Sequence, residues 1–478
     1  MNKVFKNYLY NLSYQLLIII LPLITTPYVS RVLGAKGVGT FGYTNSIVQY
    51  FILFGAIGLN LYGQREIAYH QQNKEEYSQL FWELFLVRLC TMTISLCLFF
   101  CMSSAYTKYT YILYIQMIDI IASMIDVSWF YQGIEDFKKI VIRNFFVKLV
   151  GVILIFVFIK NSDDLFLYTF LHSLTLFLGN ISMWVYLPKI LKKVNFRTLR
   201  LKNHLKSSFI LFIPQIAISL YTMLDKTMIG LLTNNEYEVG FYEQAQKIVK
   251  IALTLITSLG TVMMPRVANI YDQHNDNQVR EYMNYAFRFV FILGIPIMFG
   301  IMGITEHLVP WFFGAGYEKV KLNMIIISPI ILFIGLSNVM GMQYLLPTAR
   351  QRQYTISVIM GSVCNFVLNL LLIPFFLSYG AAVATVCAEC MVTLVQFFFI
   401  RKEFDIKNIL KQSIKYFIFS LIMFGGIVFV GEFLTSGIFC TMIQILVGVI
   451  IYIALLFITK DQFIHQVIIN RKKGENYE

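Results

Sequence analysis

The sequence predicts an all-α integral membrane protein of fourteen transmembrane helices with both termini cytoplasmic. Three observations carry this. Of 478 residues, 58% are hydrophobic and only 14% charged, whereas soluble chains average roughly 45–50% apolar and about 25% charged. Apolar runs of about 20 residues, the length needed to cross a core of about 30 Å, recur from end to end. The basic residues also follow one parity of the loops between these runs.

In the first half the runs lie at 9–31, 40–62, 81–103, 109–130, 140–160 and 164–187. In the second half they lie at 208–232, 243–265, 286–306, 322–346, 355–377, 380–400, 414–434 and 437–459. With a cytoplasmic N-terminus, 28 of the 39 Lys and Arg fall in inside segments. Six lie in outside loops: Arg31, Lys36, Lys108, Lys160, Lys319 and Lys321. The net charge of +13 is therefore a topological signal, and no nucleic-acid partner is expected. All seven cysteines sit in apolar runs and read as small packing residues.

The basic segment 188–207 divides the chain. The expected organisation is an N-lobe at 1–187, this cytoplasmic linker, a C-lobe at 208–400, and two extra helices with a basic tail at 401–478. A weak internal repeat agrees with it: VGTFGYTNSIV from Val38 and VGFYEQAQKIV from Val239 match at a constant offset. Repeats in the same orientation predict two six-helix lobes around a central cavity.

Gly37, Gly39 and Gly42 spell GxGxxG, but a membrane helix precedes them where a dinucleotide site needs a strand. They are expected to form a tight turn between the first two spans. Pro22 and Pro27 interrupt the first span, where each removes a backbone donor, and either a static or a moving kink follows. No Walker A sequence, no HExxH and no Ser-His-Asp order occurs. No enzyme activity, cofactor or metal is expected.

Ionisable residues within spans are costly, at least about 2.5–3.5 kcal/mol at the centre, and mark partners or wet cavities. Asp119 and Asp126 are seven apart, two turns along one helix face. Asp119 and Glu389 fall near mid-span, Asp225 and Lys226 in the outer half of the seventh span. Arg88 and Lys148 lie about a third of the way in, where snorkelling competes with a cavity role. Arg31 closes the first span. Asn365 and Asn369 share a face, with interhelical hydrogen bonding as the ordinary use of such amides.

The run PLITTPYVSRVLGAKGVGTFGYTNSIVQYF (Pro22–Phe51), then YGQREIA (Tyr62–Ala68), and LDKTMIG (Leu224–Gly230) resemble Wzx-type polysaccharide repeat-unit flippases. These belong to the multidrug/oligosaccharidyl-lipid/polysaccharide exporter superfamily. The resemblance implies a multi-pass protein of the bacterial cytoplasmic membrane working by alternating access. Its substrate would be an undecaprenyl-diphosphate-linked oligosaccharide, moved to the outer leaflet for capsule, exopolysaccharide or O-antigen synthesis. It implies contact with membrane lipid, and with the polysaccharide polymerase and glycosyltransferases of the same pathway as partners. Arg31, Arg65, Asp225 and Lys226 lie in the matching motifs. The expected substrate-binding set is Arg31, Arg65, Arg88, Lys148 and Lys226, whose charge suits a diphosphate. The expected ion-coupling set is Asp119, Asp126, Asp225 and Glu389, for protons or sodium. The alternative is an ion-coupled multidrug/cation antiporter of the same superfamily, whose cavity would be acidic. A membrane enzyme is disfavoured because the longest outside loop is short, and a scaffold because of the charges within spans.

Overall fold

The computed structural model describes residues 3–106 and 108–461, and every regular element within them is helical. In order these are α1 (Lys3–Ala56), α2 (Leu59–Tyr69), α3 (Lys74–Ala105), α4 (Thr110–Met124), α5 (Ser128–Gly133), α6 (Phe137–Phe158), α7 (Leu165–Ser182) and α8 (Leu187–Ile190). There follow α9 (Leu201–Thr233), α10 (Glu236–Asp272), α11 (Asp276–Phe313), α12 (Glu318–Ile327), α13 (Ile330–Met340), α14 (Gln351–Ile400), α15 (Ile406–Glu432) and α16 (Ile438–Ile458). Among the described residues, ten helical stretches are long and apolar enough to cross a membrane. Their outer faces carry exposed large side chains such as Tyr111, Phe375, Phe439 and Ile458. A surface of this kind exceeds anything a soluble monomer leaves to water and suits lipid.

By contact the chain divides between Gly240 and Phe241. In the first unit α4 packs on α7 and on α3, while α1 packs on α3, α6 and α9. In the second, α11 packs on α15 and α13, and α15 on α16. The helix α9 thus groups by contact with the helices before it.

The breaks in the helices are where the structure departs from the expected pattern. The first turn falls at Gly34 (φ 68°), a conformation that costs glycine little, and not at Gly37, Gly39 and Gly42, which are helical. Gly39 serves close approach: a Cβ there would lie 1.7 Å from the Glu236 carbonyl oxygen. Gly39 and Gly240, equivalent in the internal repeat, thereby meet, since a Cβ on Gly39 would lie 2.8 Å from the Gly240 nitrogen. The helix continues through Pro22 and Pro27, with the Thr25 hydroxyl donating to the Leu21 carbonyl at 3.0 Å.

The second run, expected over 40–62, ends at Ala56. Ile57 (φ 42°) and Gly58 (φ 69°) turn the chain into the separate helix α2. The run expected over 109–130 is interrupted after Met124. Asp119 and Asp126 therefore do not share one continuous helix face: Asp126 lies in the interruption. Within α14, Leu377 (φ 54°, ψ −130°) breaks the helix at the junction expected between the runs 355–377 and 380–400.

Candidate functional site

A helix that stops inside a membrane leaves carbonyls without intrahelical partners, and these must be satisfied by neighbouring side chains or enclosed water. The α4–α5 interruption meets this need with side chains from α3, from α7 and from the short 3₁₀ turn Met183–Tyr186 that follows α7. Arg88 of α3 donates from Nε to the Ser123 carbonyl at 2.9 Å. Asn180 of α7 donates to the Ala122 carbonyl at 2.7 Å, and the Trp184 indole to the Ile125 carbonyl at 2.8 Å. A guanidinium at a helix C-terminus also meets the negative end of the helix dipole.

Arg88 is 1% exposed, and its Nη1 donates to Asn60 Oδ1 at 2.6 Å. It does not snorkel; its donors are engaged by Asn60 and Ser123, 28 and 35 residues away. Asp126 accepts from the backbone N–H and hydroxyl of Ser128, and lies 3.7 Å from Arg143 Nη1 and within electrostatic reach of Arg88. Arg143 donates in turn to Ser128 Oγ at 3.0 Å and to Asn180 Oδ1 at 2.9 Å. The result is a connected charged cluster, Arg88–Asp126–Arg143, built on a broken helix.

The other expected site residues are dispersed. Arg31 is exposed, three residues before the Gly34 break. Arg65 is exposed on α2, where it pairs with Glu66 at 2.9 Å and lies over the Tyr62 ring. Lys148 is half-buried on α6. On α9, Asp225 is buried and Lys226 half-buried, and Asp225 is within electrostatic reach of Tyr50. Glu389 is buried in α14, within electrostatic reach of Tyr354. Asp119 is 3% exposed, faces Ser173 of α7, and neither carboxylate oxygen has a hydrogen-bond partner.

Two polar groups were not anticipated. On α3, buried Glu83 accepts from Gln79 and the Arg200 backbone N–H, each at 2.9 Å, and lies 2.7 Å from His204 Nε2. Tyr62 OH meets His204 Nδ1 at 2.9 Å. This ties α2 and α3 to the start of α9. Glu83 and Arg143 both fall inside the apolar runs, near their ends, where charges read as boundary residues; their position was the available signal.

At the other end of these helices, Lys108 pairs with Glu236 at 2.8 Å. Tyr109 OH donates to the same carboxylate at 2.6 Å, and the Tyr43 and Tyr106 hydroxyls share a hydrogen bond of 2.6 Å. Burial pushes the Glu236 carboxyl up, but the bonds from Lys108 and Tyr109 outweigh it and hold the group below its ordinary value. The Glu236 hydrogen bond raises Lys108, and burial, then Glu236, pushes Tyr109 up to about 12. This polar knot lies beside the Gly39–Gly240 approach, so α1 and the first turn of α10 are held together by both backbone fit and charge.

Comparison with known proteins agrees with this architecture. The family model described as "Polysaccharide biosynthesis protein" matches residues 4–271, and the MatE model matches 211–374. A protein of Escherichia coli (strain K12) named "Putative O-antigen transporter" is 25% identical over 80% of this chain and 93% of its own length. A structure titled "Lipid II flippase MurJ, inward closed conformation" superposes with a TM-score of 0.78 at 18% identity, covering 96% of this chain and 100% of that one. An inward-facing multidrug resistance MATE transporter of the MOP superfamily gives a TM-score of 0.64 at 13% identity, over 83% and 98% of the two chains. The chain belongs to the polysaccharide biosynthesis protein family, as a multi-pass, Wzx-type member of the multidrug/oligosaccharidyl-lipid/polysaccharide exporter superfamily.

Proposed function

We propose that this protein moves an undecaprenyl-diphosphate-linked oligosaccharide repeat unit from the cytoplasmic to the outer leaflet of the bacterial cytoplasmic membrane, by alternating access, for surface polysaccharide synthesis. The observation that carries the reading is the O-antigen transporter relative, which aligns over 93% of its own length. The ten apolar stretches support fourteen crossings when the breaks at Gly34 and Leu377 are taken as turns and α9 and α10 are added. The six-helix lobes, the cavity between them and the cytoplasmic termini belong to the same proposal, and the last residues of the basic tail lie outside the described ones.

Cations suit a diphosphate because each phosphate oxygen accepts strong charge-assisted hydrogen bonds. Arg31, Arg65, Lys148 and Lys226, exposed or half-buried, are the proposed substrate contacts. Arg88 is already engaged by Asn60 and Ser123 and would act by holding the α4 break. Proton or sodium coupling is assigned to Asp119, Asp126, Asp225 and Glu389. The polymerase and glycosyltransferases of the pathway are the proposed partners.

The decisive measurement is the leaflet distribution of lipid-linked repeat units. Removing the protein should leave them on the cytoplasmic leaflet, and an unchanged outer-leaflet pool would sink the reading. Lys226→Ala should reduce export while membrane insertion stays normal. Full export in that variant would make the lysine a helix anchor.

A further inference from the structure

A cleft of about 810 Å³ lies between α6 and α7, and the charged cluster at the α4 break uses only its edge. Its mouth carries Lys138, Lys139 and Arg143, with Asp136 as the acidic lining residue. Its walls are apolar. On α6 they follow a helical stripe, Arg143 to Phe146 to Val150 to Leu154, so that charge at one end passes into hydrocarbon along one face. Leu174 and Leu178 face them from α7. The floor is closed by tight packing, since a Cβ on Gly179 would lie 2.3 Å from a Val147 methyl. Only 6% of the apolar window in the span Lys138–Phe158 is buried, so the cleft opens sideways to lipid.

We infer that this cleft is a binding site for one anionic glycerophospholipid of the cytoplasmic leaflet, its phosphate at Lys138, Lys139 and Arg143 and one acyl chain along Phe146–Leu154. Three observations select this occupant. The mouth has three cations against Asp136, with Asp126 3.7 Å from Arg143, which leaves one positive charge in excess and favours a phosphate over a zwitterionic surface. Arg143 is held in place by Ser128 and Asn180. Lys139 is partly neutralised by Asp136 at 2.7 Å, while exposed Lys138 makes no ion pair among the described residues and is available to a headgroup. The stripe from Arg143 to Leu154 rises about 16 Å at 1.5 Å per residue, close to half of the hydrocarbon core of about 30 Å. That length matches an ordinary acyl chain in one leaflet and is short for a polyprenyl chain of eleven isoprene units. The cytoplasmic placement follows from the basic-loop parity and does not depend on the transported substrate.

The test is lipid retention by the purified full chain in neutral detergent, read by native mass spectrometry. Phosphatidylglycerol, phosphatidylcholine of the same acyl chains and undecaprenyl phosphate are supplied in turn. The wild type should hold one phosphatidylglycerol in preference to the other two. Near a membrane surface each lysine contributes about five-fold in affinity. Lys138→Glu should therefore lower phosphatidylglycerol binding at least about five-fold and leave phosphatidylcholine unchanged. Val150→Trp, which fills the stripe, should weaken both. Equal phosphatidylglycerol binding by wild type and Lys138→Glu would overturn the site. Preferential retention of undecaprenyl phosphate would overturn the choice of occupant. Lys138 is exposed and makes no ion pair among the described residues, so its replacement should leave the fold intact, and a matching size-exclusion profile checks this directly.

Discussion

The two units of the chain stabilise their polar interiors differently. The first uses charge at an interruption: Arg88, Asp126 and Arg143 gather where α4 stops, and Glu83 meets His204 where α9 begins. The second has ion pairs as well, Arg350 with Glu403 and Lys415 with buried Asp461, each at 2.8 Å, but Arg350, Glu403 and Asp461 flank helix ends, and beside buried Glu389 its helices carry many neutral amide and hydroxyl bonds. Gln396 donates to Ser357 and Asn323 to Ser378, each at 3.0 Å, and Asn369 donates to Asn365 at 3.1 Å. The difference follows from what is being satisfied. A broken helix exposes carbonyls whose dipoles add, and a guanidinium answers several acceptors at once. At the Leu377 break of α14 the bond seen is to a hydroxyl, from Asn323 to Ser378, and there a neutral amide suffices.

The largest expected effect breaks this comparison if it fails to appear. Arg88→Met leaves the Ser123 carbonyl and Asn60 amide oxygen without their buried donor, and leaves Arg143 as the remaining cation beside Asp126. It should cost about 3 kcal/mol or more, read as a lowered Tm of the purified protein. Gln396→Leu in the second unit removes one neutral bond and should cost about 1 kcal/mol. Equal losses would mean that the kind of polar group does not matter and that the helix break has no special requirement.

The same contrast explains what was legible beforehand. The apolar runs were, because lipid demands about 20 apolar residues per crossing. The charges within them were visible for the same reason. Their partners were not: Arg88 meets residues 28 and 35 positions away, and no spacing on one helix encodes that. Nor were the breaks at Ile57–Gly58 and after Met124, because an apolar run reads alike whether the helix continues or turns. The junction at Leu377 was legible from run length, although a leucine at φ 54° is itself no turn residue. The three glycines after Gly34 did carry one, but packing used Gly39 for contact with α10 instead.

Charge outside the interior should matter less, which sharpens the comparison. Lys108 is half exposed while Glu236 is largely covered, so solvent screens the pair and its contribution should be about 0–1 kcal/mol. The signs define a window. Glu236 is held below its ordinary value of 4.5, so its share is present above that pH and is lost as pH falls through the lowered value. Lys108 is raised above 10.5, so its share is present below that pH and is lost as pH rises through the raised value. The Tm difference between wild type and Lys108→Met should therefore be small and flat between 4.5 and 10.5, fading outside. A difference that changes steeply near neutral pH would point to another group.

The smallest expected effect concerns the residue that departs from the first unit's own rule. Asp119 is buried, yet neither carboxylate oxygen is hydrogen-bonded, and the Gln116 amide one turn earlier is also without a partner. A carboxylate that makes no bonds loses none when it becomes an amide of the same shape, and the unpaired charge it would otherwise bury is removed. Asp119→Asn should thus leave Tm unchanged or raise it, opposite to Arg88→Met despite similar burial. A loss of 2 kcal/mol or more would show that Asp119 holds a partner and is structural. If stability is kept while export in sealed vesicles stops responding to a proton gradient, the cost of burying an unbonded acid is explained by the coupling it performs, and Asp126, which is half-buried and accepts from Ser128, is relieved of that role.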